Sequence, residues 1–295
     1  MTDYQEGAKA FQKEVSGERT NSVYAYAIGR NPEIKNTPSD NFKGIISSTL
    51  KIIDTLEEFG EETAHNLTIP RAIADEIGLI WDFSGPGTYD KPFKEDRYKD
   101  LPWSKSMDQK RLSHTAVLER AIVESIKGNS FRGSLENIVE TKHRLKKAIG
   151  EVGPYILYNG IPEENSVVKD VLSREGVVIP ADKVIIPNFK IDNTLDQVKS
   201  FEWPKHVEKG KAIALVSHAP HLARIIGLIN YFNPFSKGTK IYLFPLPTPQ
   251  EGREEYAKME ISGLLHNMFD LEKSNLMPAY EYMIGEKKLQ FSKEP

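Results

Sequence analysis

Residues 212–224 have the sequence AIALVSHAPHLAR, which gives the clearest indication of the fold. Its first five residues are apolar and show no polar alternation, which is typical of a strand buried on both faces of a parallel sheet. From Leu222 onward, apolar residues recur at helical spacing through Ile225, Ile226, Ile229 and Phe232. A buried strand that leads directly into an amphipathic helix is half of a βαβ unit.

The same alternation of strand and helix extends in both directions from this stretch. Short apolar runs of the same kind occur at residues 78–83, 155–158, 184–186 and 241–244. Helical stripes separate some of them, one through Ile138, Val139, Leu145 and Ile149 and another through Val167, Val168, Val171 and Leu172. Strands that alternate with helices imply right-handed crossovers and a parallel sheet. The pattern predicts an α/β fold, a Rossmann-like, doubly wound, mainly parallel sheet of about five strands over residues 77–250.

The two ends of the chain follow a different pattern. Residues 1–76 are predicted to be a mainly helical extension, with one amphipathic helix running from Phe42 to Phe59 and another after Pro70. Residues 23–28 fit a strand or a helix, and the pattern does not decide between them. Residues 251–295 are predicted to form a helical tail packed on the sheet domain. Residues 85–106 have no period and directly follow the first strand, which favours a lid over a tether.

Composition excludes several classes of protein. Lys and Arg number 39 against 42 Asp and Glu, a net charge of −3 that argues against a nucleic-acid partner. The absence of cysteine excludes disulfides, thiolate metal sites and a cysteine nucleophile. No run approaches the ~20 apolar residues of a membrane-spanning helix, and the polar N-terminus does not resemble a secretion signal. We therefore expect a cytoplasmic protein with no membrane span.

Small and polar residues follow each of the first four predicted strands. In chain order they are Ser84, Gly85 and Gly87; Asn159 and Gly160, with Glu164 opening the next helix; Asn193 and Thr194; and Ser217, His218, His221 and Arg224. Ligands of open parallel sheets bind beyond the carboxyl ends of the strands. This convergence predicts a site for a small-molecule ligand at that edge.

The last of these groups contains the side chains best suited to proton transfer and anion binding. His221 and Arg224 are three residues apart and therefore share one helical face. A histidine can act as a general acid or base, and an arginine presents a planar fork to a carboxylate or phosphate. The start of a helix also favours an anion. His218 and His221 lack an identifiable third ligand, so no metal site is predicted.

Other candidates have a structural interpretation that stays open beside the functional one. Residues 85–87 form either a simple turn or a cradle for phosphate, since they match neither GxGxxG nor a P-loop. Asn193 and Thr194, followed by Asp196, fit a helix N-cap with an acid in the first turn as well as a ligand contact. Glu164 at a helix start suits the helix dipole without any further role.

The order of these motifs over residues 77–249 resembles that of the bacterial domain of unknown function 218, the YdcF/SanA/ElyC-like proteins. The matching motifs include residues 84–87, 159–160, 193–197 and 217–224. The sequence departs from the family's motifs at three places. His218 stands where the family has a small hydroxyl residue, and the turn after the second strand has one glycine, Gly160, where the family has two. Asp196-Gln197 stands in place of the family's Glu-Asn. The resemblance implies a Rossmann-like fold and an enzyme-like protein, with S-adenosylmethionine as one candidate cofactor.

The leading hypothesis is a hydrolase or transferase that binds a nucleotide-type or phosphorylated small ligand. His221 would act as acid or base, with His218 and Glu164 as further catalytic candidates, and Arg224 would hold an anionic group. The remaining candidates would contact the ligand through backbone or side chain; they are Ser84, Gly85, Gly87, Asn159, Gly160, Asn193, Thr194 and Ser217. Two alternatives are a non-catalytic ligand sensor that uses the same pocket and a scaffold that binds partner proteins through residues 1–75.

Overall fold

The computed structural model describes residues 2–36, 39–64, 66–84, 107–128, 131, 138–160, 165, 168, 172, 179–187, 191–208, 210–268 and 280–291. Within these ranges seven strands form one sheet, in the order β3-β2-β1-β4-β5-β6-β7. The strands are β1 (Ile77–Asp82), β2 (Tyr155–Tyr158), β3 (Val184–Ile185), β4 (Ala212–His218), β5 (Lys240–Leu246), β6 (Glu281–Ile284) and β7 (Lys287–Lys288). Strands β1 to β6 pair in parallel, and β7 pairs antiparallel to β6.

Helices cover both faces of this sheet. In the described ranges they are α1 (Thr2–Arg30), α2 (Ser39–Thr63), α3 (Arg71–Glu76), α4 (Met107–Lys127), α5 (Ile138–Val152), α6 (Thr194–Lys199), α7 (Ala219–Phe232) and α8 (Arg253–Met268), with 3-10 turns at Pro32–Asn36 and Ala181–Lys183. Residues of α1, α2, α7 and α8 join one core, and residues of α3, α4 and α5 join the other. The predicted doubly wound α/β fold is therefore confirmed.

Strand β4 shows why the sequence has no polar alternation. All seven of its residues are buried. Ile213 and Leu215 belong to the core beneath α7, whereas Ala214 and Val216 belong to the core beneath α4. Because successive side chains point to opposite faces, a strand covered on both sides must be apolar at every position. Helix α7 then begins at once, with Pro220 in its first turn, where a missing N–H costs nothing.

The centre of the sheet is a topological switch point. Strand β1 has β2 on one side and β4 on the other. The helices between β1 and β2 lie on one face, and α7, which follows β4, lies on the opposite face. Such an arrangement opens a crevice at the carboxyl ends of the two central strands. The last residues of β1 and β4, Asp82 and His218, both lie at that end.

Two features of the fold differ from the sequence-based expectation. The sheet has two more strands than predicted, because the segment expected as a helical tail contains β6 and β7 after α8. Both strands are too short to give a long apolar run: β6 has four residues, of which Glu281 is exposed, and both residues of β7 are exposed lysines. Helix α4 was not predicted, since buried Asp108, Arg111 and Glu119 interrupt its apolar pattern.

Other expectations were open or fall outside the described residues. Residues 23–28, which fitted either element, are helical and lie within α1. The loop at 85–106 lies outside the described residues. Of the four positions of the predicted stripe near Leu172, Val168 and Leu172 are described and are helical, whereas 167 and 171 lie outside the described residues. No helix in the described ranges has the length and apolar character needed to cross a bilayer.

Candidate functional site

Two polar clusters lie at the carboxyl ends of the central strands, one on each face of the sheet. The cluster on the α4 face, called here the α4-side cluster, contains Asp82, Asp108, Arg111, Thr115, Tyr158, His218 and Tyr256. The cluster on the α6 face, called the α6-side cluster, contains Ser84, Asn159, Thr194, Gln197, Ser217 and His221. Strand alternation separates them, because Ser217 and His218 are consecutive and point to opposite faces.

Side-chain amides hold one part of the α6-side cluster together. Gln197 donates from Nε2 to the backbone oxygen of Asn159 at 2.9 Å and to the hydroxyl of Ser84 at 2.5 Å. Asn159 donates in turn to the backbone oxygen of Gln197 at 3.3 Å. Its Oδ1 accepts a hydrogen bond of 2.9 Å from the indole of Trp81. These bonds tie the ends of β1 and β2 to α6, and they occupy the polar groups of Asn159.

His221 is the centre of the other part of this cluster. Its Nδ1 lies 3.0 Å from the hydroxyl of Ser217, and its Nε2 lies 3.1 Å from the hydroxyl of Thr194. The ring is only 3% exposed. The structure therefore brings together three residues that the sequence singled out separately. Both ring nitrogens are engaged with hydroxyl groups, which fixes the orientation of the imidazole.

Two further candidates on this face are engaged in local structure. Asn193 caps α6, because its Oδ1 accepts a 3.0 Å hydrogen bond from the backbone N–H of Asp196. The structural interpretation of that motif is thus confirmed. Gly160 donates its N–H to the side chain of Asn165 and accepts a hydrogen bond from the same side chain, at 3.0 and 2.8 Å.

The α4-side cluster contains charged groups. The hydroxyl of Thr115 donates to Oδ2 of Asp82 at 2.9 Å, and that of Tyr158 donates to Oδ2 of Asp108 at 2.5 Å. Arg111 lies with Nη1 3.6 Å from Oδ1 of Asp108 and Nη2 3.5 Å from the hydroxyl of Tyr256. Asp82 and Arg111 are completely buried. The charged groups of this cluster are therefore shielded from solvent.

The polar atoms of this cluster are incompletely satisfied. Within the described part of the chain, Nε and Nη1 of Arg111 and Oδ1 of Asp82 are buried and have no hydrogen-bond partner. Leaving a buried charged donor unpaired costs several times more than a typical hydrogen bond contributes. Such groups are common where a protein holds polar atoms ready for a ligand.

Burial also changes the protonation of this face. The pKa of Asp82 is raised well above its usual value by desolvation and by the neighbouring Asp108. The pKa of His218 is lowered well below its usual value by desolvation and by Arg111. Desolvation lowers the pKa of His114, one helical turn from Arg111, to about 4. Burial therefore favours the protonated form of the carboxyl group and the neutral form of both imidazoles.

The sequence-based search missed the residues of α4 entirely. Asp108, Arg111, Thr115 and Glu119 recur at spacings of three and four, so they form one stripe along the helix. A search for polar residues at helical period next to a predicted strand end would have found them. The same spacing is equally typical of a solvated helix face, which is why the stripe does not reveal its burial.

The remaining candidates are divided between the two faces or lie outside the described residues. His218 ends β4 on the α4 side, is 1% exposed and contacts the ring of Tyr256 edge-on. Arg224 is not brought to Ser217 and His221: its Nη1 lies 3.3 Å from Glu260 of α8. Gly85, Gly87 and Glu164 lie outside the described residues.

Neither metal ligation nor similarity to known proteins identifies the ligand. Among the described residues, no group of three or more histidine, aspartate or glutamate side chains is arranged to hold a metal ion. No protein-family model, curated protein or solved structure matches this chain. The chemistry of the crevice is therefore defined by its own residues.

Proposed function

We propose that this chain binds a small anionic ligand, phosphorylated or of nucleotide type, at the carboxyl ends of β1 and β4 and acts on it as a hydrolase or transferase. The guanidinium of Arg111 carries this proposal. It is fully buried at the switch point of the sheet, and two of its three nitrogens have no hydrogen-bond partner in the described part of the chain.

The chemistry of arginine supports an anionic ligand. The guanidinium stays charged at every physiological pH and presents its donors in a planar fork. Its nearest described carboxylate oxygen, on Asp108, is 3.6 Å away, too far for a strong hydrogen bond. A phosphate or carboxylate group that accepts from two guanidinium nitrogens would form the short, charge-assisted bonds that this geometry lacks.

The protonation of the neighbouring groups supports the same proposal. The charge of Arg111 interacts with Asp108, Asp82 and Glu260, and the raised pKa of Asp82 reduces the negative charge that competes with an anionic ligand for it. The lowered pKa of His218 favours a neutral imidazole at the end of β4, which can accept a hydrogen bond from a water or hydroxyl group. The resemblance to YdcF-like proteins adds support for a nucleotide-type ligand and keeps S-adenosylmethionine among the compounds to test.

A thermal-stability screen tests the proposal. The panel contains inorganic phosphate, sugar phosphates, adenosine mono- and triphosphate and S-adenosylmethionine. A ligand present at one hundred times its Kd should stabilise the native protein by about 2.7 kcal/mol, which raises Tm. If none of these compounds stabilises the wild-type protein, the proposal is wrong.

Two arginine variants form a matched pair for this screen. Arg111 is fully buried and the side chain of Arg224 is 11% exposed; both lie within 4 Å of one carboxylate, and both have an Nε without a partner in the described chain. We expect Arg111→Gln to abolish the ligand-induced shift and Arg224→Gln to keep it. The reverse result would restore Arg224 as the anion-binding residue and contradict the assignment to Arg111. Detection of product with the stabilising compound then separates an enzyme from a non-catalytic sensor.

A further inference from the structure

Asp82 is the one carboxyl group at the switch point that belongs to a central strand. It is the last residue of β1, and none of its surface is exposed. Its Oδ2 accepts a 2.9 Å hydrogen bond from the hydroxyl of Thr115. Its Oδ1 is buried and has no hydrogen-bond partner among the described residues. One oxygen of this carboxyl group is thus hydrogen-bonded within the described part of the protein, and the other is not.

The arrangement of the two carboxyl groups decides which of them carries a proton. Asp108 accepts a hydrogen bond from Tyr158 and lies beside Arg111, and both contacts favour the carboxylate. Among the described residues, Asp82 accepts a hydrogen bond only from the neutral hydroxyl of Thr115, and Arg111 favours its carboxylate through charge alone. Two buried carboxylates beside a single cation repel each other, so the one with weaker support takes up a proton. Desolvation and Asp108 raise the pKa of Asp82 accordingly.

The position of that proton follows from the hydrogen bond already present. Because Thr115 donates to Oδ2, the proton of a neutral Asp82 sits on Oδ1. The charged and titratable groups around it come from every element packed there: Asp108, Arg111 and His114 on α4, Tyr158 on β2, His218 on β4 and Tyr256 on α8. Among the described residues none of them pairs with Oδ1. An unused O–H donor therefore lies close enough to the unused donors of Arg111 for the two side chains to interact through charge.

On the basis of the proposed function, we infer that Asp82 donates a hydrogen bond from Oδ1 to an oxygen of the ligand's phosphate group while Arg111 holds that group's charge. The pair recognises an oxyanion that offers at least two acceptor oxygens. A neutral donor adds a contact to the anion without adding a second carboxylate charge, which would repel it. Asp82 is thereby assigned as a ligand-binding residue of the same site.

Sulfate is a suitable probe, because it has the shape of a phosphate group and does not titrate between pH 5 and 9. Its Kd for the full-length protein is measured by calorimetry across that range. For the wild-type protein we expect the Kd to rise once the pH exceeds the pKa of Asp82, by up to about tenfold per pH unit. An ionised Asp82 neither donates a hydrogen bond nor tolerates a nearby anion.

Two variants of Asp82 distinguish the effect of its hydrogen-bond donor from the effect of its ionisation. Asp82→Asn keeps an N–H donor at the position of Oδ1, so we expect it to bind sulfate at every pH with no such slope. Asp82→Leu removes the donor, so we expect its affinity at pH 5 to fall by about tenfold. If Asp82→Leu does not fold, the comparison of Asp82→Asn with wild type is sufficient, because the asparagine has the same shape.

Glu119 provides the matched control on the same helix as Arg111. It is fully buried, its pKa is also raised by desolvation, and neither carboxyl oxygen has a hydrogen-bond partner in the described chain. It lies beside Gly153, which precedes the first residue of β2, whereas Asp82 lies at the opposite, carboxyl end of the neighbouring strand β1. Glu119→Gln should therefore leave the pH profile of sulfate binding unchanged.

The outcomes distinguish this inference from the proposed function. An Asp82→Leu variant that binds sulfate as tightly as wild type at pH 5, or an Asp82→Asn variant that keeps the wild-type slope, contradicts the role of Asp82 alone. A wild-type protein that is stabilised by nucleotides but does not bind sulfate contradicts the oxyanion contact while leaving a ligand site. Failure of the whole ligand panel contradicts the proposed function itself.

Discussion

The two polar clusters at the carboxyl edge of the sheet differ in how far their hydrogen bonds are satisfied. On the α6 side, neutral amides and hydroxyls pair with one another, and Oε1 of Gln197 is the one buried atom of that cluster without a partner in the described chain. On the α4 side, charged groups meet at longer distances, and three buried atoms of Asp82 and Arg111 have no partner there.

The difference indicates that the α6 side is structural and that the α4 side has donors available for a ligand. A saturated network ties elements together and contributes to stability, since losing one member leaves its partners buried and unpaired. A charged cluster with unused donors is costly in the absence of a ligand, and proteins accept that cost mainly at functional sites. The residues at which sequence analysis looked first, His221 and Asn159, belong mostly to the saturated side.

The largest expected effect on stability comes from the saturated side. Asn159→Ala leaves the indole N–H of Trp81 and the backbone oxygen of Gln197 without their partners in the interior. We expect the free energy of unfolding to fall by about 3 kcal/mol, as measured by urea denaturation. The matched change on the other face, Asp82→Asn, should alter it by less than about 1 kcal/mol. Equal losses from both variants would remove the distinction between the two faces.

A pH-dependent effect of intermediate size should come from the α4 side. Burial lowers the pKa of His114 to about 4, so the folded protein keeps the ring neutral while the unfolded chain protonates it below pH 6.5. Unfolding thus takes up a proton, and stability is lost as the pH falls from 6.5 towards 4, by up to about 1.4 kcal/mol per pH unit. The variant His114→Gln should reduce this dependence of the free energy of unfolding on pH.

The control for this experiment is an exposed histidine on the neighbouring helix. His143 lies on the exposed surface of α5, and its replacement by glutamine should leave the dependence of stability on pH unchanged. Denaturation curves recorded from pH 4 to 7 compare the three proteins. If His114→Gln and wild type show the same slope, the α4 side is not the desolvated environment described above.

The smallest expected effect concerns the two hydroxyl partners of His221. Thr194→Val and Ser217→Ala each remove one hydrogen bond to the ring. Each should lower the free energy of unfolding by about 1 kcal/mol, and the double variant should depart from additivity because both bonds orient one imidazole. Neither variant should weaken binding of the ligand at Arg111. A large loss of binding would extend the ligand site to the α6 side.

Much of the fold could be predicted because its cause is local. The apolar runs that became β1, β2, β4 and β5 are continuous, since both of their faces are covered, and the helices beside them repeat at their own period. Strand β6 was not predicted because it has only four residues, one of which is the exposed Glu281. The sequence predicted that polar residues gather at the carboxyl edge of the sheet, and the structure brings Thr194, Ser217 and His221 together there.

The groups on the α4 side could not be predicted in the same way. Asp108 and Arg111 follow a segment without periodicity, and a polar stripe on a helix has the same pattern whether it faces solvent or a neighbour. Arg224 illustrates the converse, because its spacing from His221 placed it on the right helix, while its contact is with Glu260. Only packing distinguishes these two arginines.

The sequence by itself determined the class of fold, the edge of the sheet where polar residues gather and the exclusion of thiol chemistry, because periodicity, strand direction and composition are local properties. The tertiary structure decided which of those residues meet. It placed Ser217 and His218 in different clusters through the alternation of one strand, and it buried Asp82 against α4, where desolvation changes its protonation. Burial and unpaired atoms depend on the whole surrounding chain, so no local pattern encodes them.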